Sequence, residues 1–169
     1  GGIVTDTNIR IAGDEFTRDI IDYMRRQHNM LIGERTAENV KINVGSAMTK
    51  LDNPPEDYSV LGRDLLTGHP KEIIVSYSEI AQALDKSISK IEDSIHTALN
   101  QTPPELSADI FRTGIYLAGG GALLRGLDKR ISARTKLPVH IAEDPLHAVA
   151  KGTAIALKNI DRFPFLMSE

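Results

Sequence analysis

Apolar positions recur at steps of three and four along much of the chain. Phe16, Ile20 and Met24 form one such stripe and predict a helix to about His28, with Asp14 as its cap and Asn29 at its C-terminal end. A second helix is predicted from Thr36, a good N-cap residue, to about Ala47. The longest stripe is Ile80, Leu84, Ile88, Ile91, Ile95 and Leu99, preceded by Ser76-Tyr77-Ser78-Glu79 in the pattern of a capping box. It predicts a long core-facing helix closed at residues 100–104. Pro104 and Glu105 then open a short helix to about Phe111.

Elsewhere the texture is that of strands. Residues 3–11 are rich in β-branched side chains with loose alternation, which predicts a strand. Asn53-Pro54-Pro55, Gly62 and Gly68-His69-Pro70 punctuate short apolar runs at 58–61 and 73–75, the signature of a β-hairpin. Further on, a strand is predicted at 114–118, a turn at Gly119-Gly120-Gly121, a helix at 122–135, a strand at 138–141 and a helix at 145–159. Helices and strands that alternate in this way imply a parallel β/α layer.

Composition narrows the function. The 169 residues are 41% hydrophobic and 25% charged, enough for one domain or slightly more. A chain of this size buries about 68–70% of its unfolded surface, so its core needs no metal or disulfide. With 20 Lys and Arg against 23 Asp and Glu, the net charge of −3 argues against a nucleic-acid module held by a basic field. The absence of cysteine excludes disulfides, a thiolate nucleophile and a Cys-based zinc site. No apolar run approaches the roughly 18 residues of a membrane helix and no signal peptide opens the chain, so a cytoplasmic protein is expected. The start at Gly1-Gly2 without Met reads as an internal turn of something longer.

Two constellations carry candidate chemistry. In Gly119-Gly120-Gly121 a strand delivers the chain to three glycines and a predicted helix. Glycines admit a ligand close to the backbone, and a helix N-terminus offers free N–H groups with a positive partial charge. The run lacks the Gly-Lys-Ser/Thr of a P-loop, and Leu124 stands where a dinucleotide motif needs glycine. A tight packing turn remains the other reading. On the helix predicted from Thr36, Glu38, Lys41 and Gly45 share one face, while Val40, Val44 and Ala47 share the other. Taken alone, Glu38 and Lys41 are an exposed ion pair worth about 0.3–0.5 kcal/mol. The five histidines have no metal-site spacing, no Gly-x-Ser-x-Gly elbow exists, and no pair of carboxylates stands out.

Several stretches together resemble the MreB family of bacterial actin-like cell-shape proteins. They are Gly13-Asp14-Glu15-Phe16, residues 29–42 around Ile32-Gly33-Glu34-Arg35-Thr36, Gly62-Arg63-Asp64-Leu65, Thr102-Pro103-Pro104-Glu105-Leu106, and residues 119–127 from Gly119 to Leu127. The resemblance implies an α/β fold: an actin-like (ribonuclease H-like) ATPase domain II, incomplete, with an inserted small α+β subdomain. Residues 1–13 and 77–169 would form the inner subdomain and 14–76 the outer one. The resemblance also implies a nucleotide site. Gly119, Gly120 and Gly121 match the motif that lies against ribose and α-phosphate, Leu123 lies near the base, and Glu38 and Lys41 match a Glu-x-x-Lys pattern facing ribose and adenine.

By the same resemblance, ATP or ADP with Mg²⁺ is the cofactor of a longer protein. The phosphate loops, the Mg²⁺-positioning acid and the catalytic acid are expected outside these residues, so no catalytic or metal-ligating residue is assigned here. The expected partners are other copies in a head-to-tail filament, RodZ, and the cell-wall elongation machinery. Membrane contact at the inner face is expected through the absent domain, and no nucleic acid is expected. A strand at 3–11 without its meander partners would leave an open edge, so self-association or element swapping is expected. A chaperone- or sugar-kinase-type ATPase of the same superfamily, or an adaptor domain without nucleotide, are the alternatives.

Overall fold

The computed structural model describes residues 3–11 and 13–159. The turn expected at Gly1-Gly2 lies outside the described residues. Helix α1, Gly13–His28, buries Phe16, Thr17, Ile20 and Met24, with acids in its first turn and Arg25, Arg26 and His28 in its last, complementing the helix dipole. Asp14, expected as the cap, lies inside that first turn. Asn29 follows at φ 49°, the left-handed conformation that ends a helix.

Strand β1, Met30–Leu31, is too short to leave a periodic trace and was not predicted. Helix α2, Glu34–Val44, starts before Thr36, with Gly33 at its N-cap and no side-chain cap. Thr36 therefore lies within the helix rather than capping it. The expected inward face holds: Val40, Val44 and Ala47 are all buried.

The predicted hairpin forms from β2, Tyr58–Asp64, and β3, Pro70–Val75, each longer than its apolar run. With β1 it makes a three-stranded antiparallel sheet in the order β1-β2-β3. Gly62 sits where β1 passes closest: a Cβ there would meet the Leu31 carbonyl at 2.6 Å and Met30 Cγ at 2.8 Å. No larger side chain fits without moving backbone.

Helix α3, Tyr77–Gln101, starts where predicted, with the Ser76 hydroxyl accepting from the Glu79 N–H. The capping box is only half made, because the Glu79 carboxylate pairs with the His28 ring at the end of α1. The first half of the α3 stripe (Ile80, Leu84, Ile88) is buried in the core formed with α1, α2 and the sheet; Ile91 and Ile95 are partly buried against it. Helix α4, Pro104–Thr113, has proline in its first turn as expected.

Strands β4, Ile115–Leu117, and β5, Val139–Ile141, pair in parallel, so the β/α layer read from the alternation is present. Between them lie a 3₁₀ turn over Gly120–Leu123 and helix α5, Leu127–Thr135. The continuous helix expected from residue 122 is therefore interrupted, because Leu124 is extended and Gly126 is left-handed at φ 74°. Helix α6, Ala148–Lys158, closes the described chain.

Residues 3–11 form no strand and pair with none among the described residues. A strand exists only where a neighbour takes its N–H and C=O groups, and both sheets leave this segment unpaired. Among the described residues no helix is long and apolar enough to cross a membrane.

Arg130 ties α5 to α3 and to the segment that follows α2. From α5 its Nε and Nη2 grip the buried Glu92 carboxylate at 2.9 and 3.3 Å, while Nη1 reaches Asp85 at 2.8 Å and the Ala47 carbonyl at 3.1 Å. The planar guanidinium fork suits this many fixed acceptors.

Candidate functional site

A cleft of about 930 Å³ opens between α2 and the start of α1 on one side and the glycine turn on the other. All six residues singled out from the sequence line it: Glu38, Lys41, Gly119, Gly120, Gly121 and Leu123.

The α2 wall is an ion-pair cluster rather than a loose surface pair. Lys41 Nζ lies 2.6 Å from Glu38 Oε2, 3.0 Å from the Gly13 carbonyl and 3.2 Å from Thr17 Oγ1. The ammonium thus has a partner for each of its three donors. Thr17 in turn is 3.0 Å from both the Gly13 carbonyl and Glu38 Oε2, with one proton to share between them. The Lys41 side chain is only 16% exposed while that of Glu38 is 46% exposed. The exposed pair expected from spacing is therefore corrected: α1 covers the lysine and leaves the carboxylate facing the cleft. The Lys41 hydrogen bond, helped by the Thr17 hydroxyl, holds the Glu38 carboxyl below its ordinary range against a smaller opposing effect of burial. Glu38 is an anion at neutral pH.

The opposite wall is backbone. Gly119 has φ +84°, a conformation that side chains rarely adopt, and its N–H donates to the Pro145 carbonyl at 2.7 Å. Cβ atoms at Gly119 and Gly121 would meet nothing within 4 Å, and one at Gly120 would touch only Leu146 Cδ2 at 3.4 Å. None of the three is required by packing against the protein, so the turn accounts for glycine at 119 through its backbone conformation and leaves Gly120 and Gly121 without a packing reason. The helix dipole expected behind them is absent, since α5 begins only at Leu127. Leu123 is 54% exposed and Leu146 is 60% exposed. Two leucines at the mouth of a cleft offer an apolar surface for a flat ring.

Sequence reasoning missed Thr17, Leu146 and Arg125. Thr17 lies one turn beyond Gly13 beside an apolar stripe that draws attention away from it. Leu146 follows Asp144-Pro145 in a loop with no periodicity. Arg125 stood inside the glycine stretch without a role. Among the described residues no cluster of His, Cys, Asp and Glu could hold a metal ion.

Comparison with known proteins identifies the family and the fold. A family model described as MreB/Mbl protein matches residues 1–164. The cell shape-determining protein Mbl of Bacillus cereus is 46% identical over 164 residues, covering 97% of this chain and 49% of that protein. The cell shape-determining protein MreB of Escherichia coli K12 is 43% identical over 160 residues, covering 95% of this chain and 46% of its own length. The chain thus spans about half the length of the curated relatives it matches. The crystal structure of MreB5 of Spiroplasma citri bound to ADP superposes with a TM-score of 0.90 at 43% identity, over 95% of this chain and 48% of that one. MamK in a double helical filament, at 23% identity and a TM-score of 0.66 over 83% of this chain and 42% of that one, shares the fold alone. The fold is the actin-like one, and the chain belongs to the MreB/Mbl family.

Proposed function

We propose that this chain supplies the adenosine-facing half of an ATP/ADP cleft in a longer, filament-forming protein that determines rod cell shape. The observation that carries the reading is the convergence of Glu38, Lys41, Gly119, Gly120, Gly121 and Leu123 on one cleft. The ADP-bound and AMPPNP-bound MreB5 relatives, 43% and 42% identical, support it. The open backbone at 119–121 accepts ribose and α-phosphate, Glu38 accepts from ribose or base donors, and Leu123 lies along the base.

The chain is read as domain II of the actin-like fold, with residues 14–76 as outer subdomain and 1–13 with 77–169 as inner. Mg²⁺ and the groups that stabilise the transferring phosphoryl come from the other half of the protein. The whole protein hydrolyses ATP slowly as filaments turn over, whereas this chain alone does not. Copies stack head to tail at the inner membrane face, attached through the other domain, where RodZ and the cell-wall elongation machinery meet them. The cell shape-determining role of the Mbl and MreB relatives supports this.

The test is an NMR titration of the 169-residue chain with ADP. Weak, saturable shifts at Gly119–Gly121, Glu38 and Lys41 are expected. Gly120→Leu should abolish them without unfolding the chain, because Cβ meets only ordinary contact there. Shifts confined to other surfaces would reject the site, and submicromolar ATP affinity would reject the half-cleft.

A further inference from the structure

The two walls of the cleft come from different parts of the fold. Helix α2 packs on α1 and β2, while the 3₁₀ turn that contains Gly120 and Gly121 packs on α5. Something must hold one wall at a fixed distance from the other, and the hydrogen bonds converge on one residue.

Arg125 Nη1 donates to the Ile42 carbonyl at 3.0 Å and to the Gly45 carbonyl at 3.4 Å, across 83 and 80 residues of chain. These carbonyls lie at the C-terminal end of α2, where the helix leaves acceptors unsatisfied and where a cation is favoured. The main chain of the same residue is engaged as well. Its carbonyl accepts the Ala47 N–H at 2.8 Å, and it forms a parallel bridge with the fully buried Ser46. The seam is tight: a Cβ on Gly45 would lie 3.1 Å from Leu124 Cδ1 and 2.2 Å from the Lys41 carbonyl. Lys41 directly precedes Ile42, and Leu123 lies two residues before Arg125. Movement of α2 along its axis therefore changes the Arg125 contacts and the distance from Glu38 and Lys41 to the glycine turn together.

We propose that Arg125 is a positioning residue that sets the width of the nucleotide cleft by locking the C-terminal end of α2 to the glycine turn. This rests on the nucleotide reading above. Arg125 Nη1 is committed to helix carbonyls, while the residue also lines the cleft, so the ligand series below separates positioning of the walls from a phosphate contact.

The test compares wild-type chain, Arg125→Ala and Arg125→Lys, titrated by NMR with adenosine, AMP and ADP. The backbone bonds of residue 125 survive in both variants, so the fold is expected to persist. Arg125→Ala should weaken all three ligands by the same factor, about tenfold, and Arg125→Lys should restore part of it. Amide hydrogen exchange should quicken at residues 42–47 and 119–124 and stay unchanged in the centre of α3. Unchanged affinity in Arg125→Ala overturns the proposal. So does a loss that grows from adenosine to ADP, which makes Arg125 a phosphate ligand. If the wild-type chain binds none of the three, the nucleotide reading fails by itself. The seam is then judged on exchange alone, and unchanged rates overturn it.

Discussion

Residues 13–92 and 104–159 have similar patterning and different fates. In the first segment, side chains from α1, α2, the three-stranded sheet and α3 close on one another, and Ile20, Met24, Val40, Leu84 and Ile88 are all fully buried. In the second, α4 and α6 bury no side chain, and Phe111, Tyr116, Val149 and Ile155 remain exposed. Both helices carry apolar residues, so the difference is one of partners. A sheet of two strands has too little face to cover the helices beside it. An apolar stripe is half of a contact: α5 finds its other half by burying Leu127 and Ile131 in the core of the first segment, whereas α4 and α6 find none among the described residues.

That contrast breaks most directly under truncation of side chains. Leu84→Ala should cost about 3–4 kcal/mol in urea unfolding, because its cavity is walled by several elements. Little or no loss there would mean the dense core is looser than its packing implies. The link between segments comes next. Glu92→Ala leaves Arg130 without its bidentate acceptor and should cost about 2–3 kcal/mol. It should also quicken hydrogen exchange in α5 more than in α1, and equal acceleration of both helices would count against a seam.

Acid should separate two carboxyls inside the first segment. Asp64 accepts the Thr67 and Leu66 N–H groups and pairs with Lys71, which together hold its carboxyl at about 2 against the ordinary 3.8. Because the folded value is the lower one, the stabilisation is complete above about pH 4 and fades as pH falls toward about 2. Asp64→Asn should therefore melt lower than wild type near neutrality and converge with it in acid; a constant difference in Tm across that range would contradict the assignment. Asp19 has the opposite sign. Burial against α3 raises its carboxyl, with the Ser87 hydroxyl pulling the other way, and Oδ2 has no hydrogen-bond partner. Its folded value lies above the unfolded one, so stability rises as pH falls through that folded value, and Asp19→Asn should stabilise the chain at pH 7. The smallest effect belongs to the second segment: Val149→Ala on α6 should change stability by no more than about 0.5 kcal/mol. A larger loss would show that something covers α6 in solution.

Much of this is legible in the sequence. The stripes of α1 and α3, the hairpin turns, the Ser76 cap of α3 and the parallel layer all follow from local periodicity and turn chemistry. The glycine run and the Glu38–Lys41 spacing were visible too, yet each allowed a bland reading. Deciding between readings required knowing what stood opposite. Thr17 and the Gly13 carbonyl turn an ordinary helix pair into a fixed wall, and empty space beside Gly119 and Gly121 removes packing as the reason for glycine.

The sequence by itself determined the family, through its motifs, and where most of the helices and turns fall, because those depend on neighbours a few residues away; the helix expected from residue 122 is the exception. Tertiary structure alone decided that residues 3–11 form no strand, that Glu79 serves His28 rather than its own cap, and that Arg125 closes the end of α2. Each depends on whether a distant group arrives to take a hydrogen bond or exclude water. Desolvation and pairing are properties of the assembled neighbourhood, which no local pattern encodes.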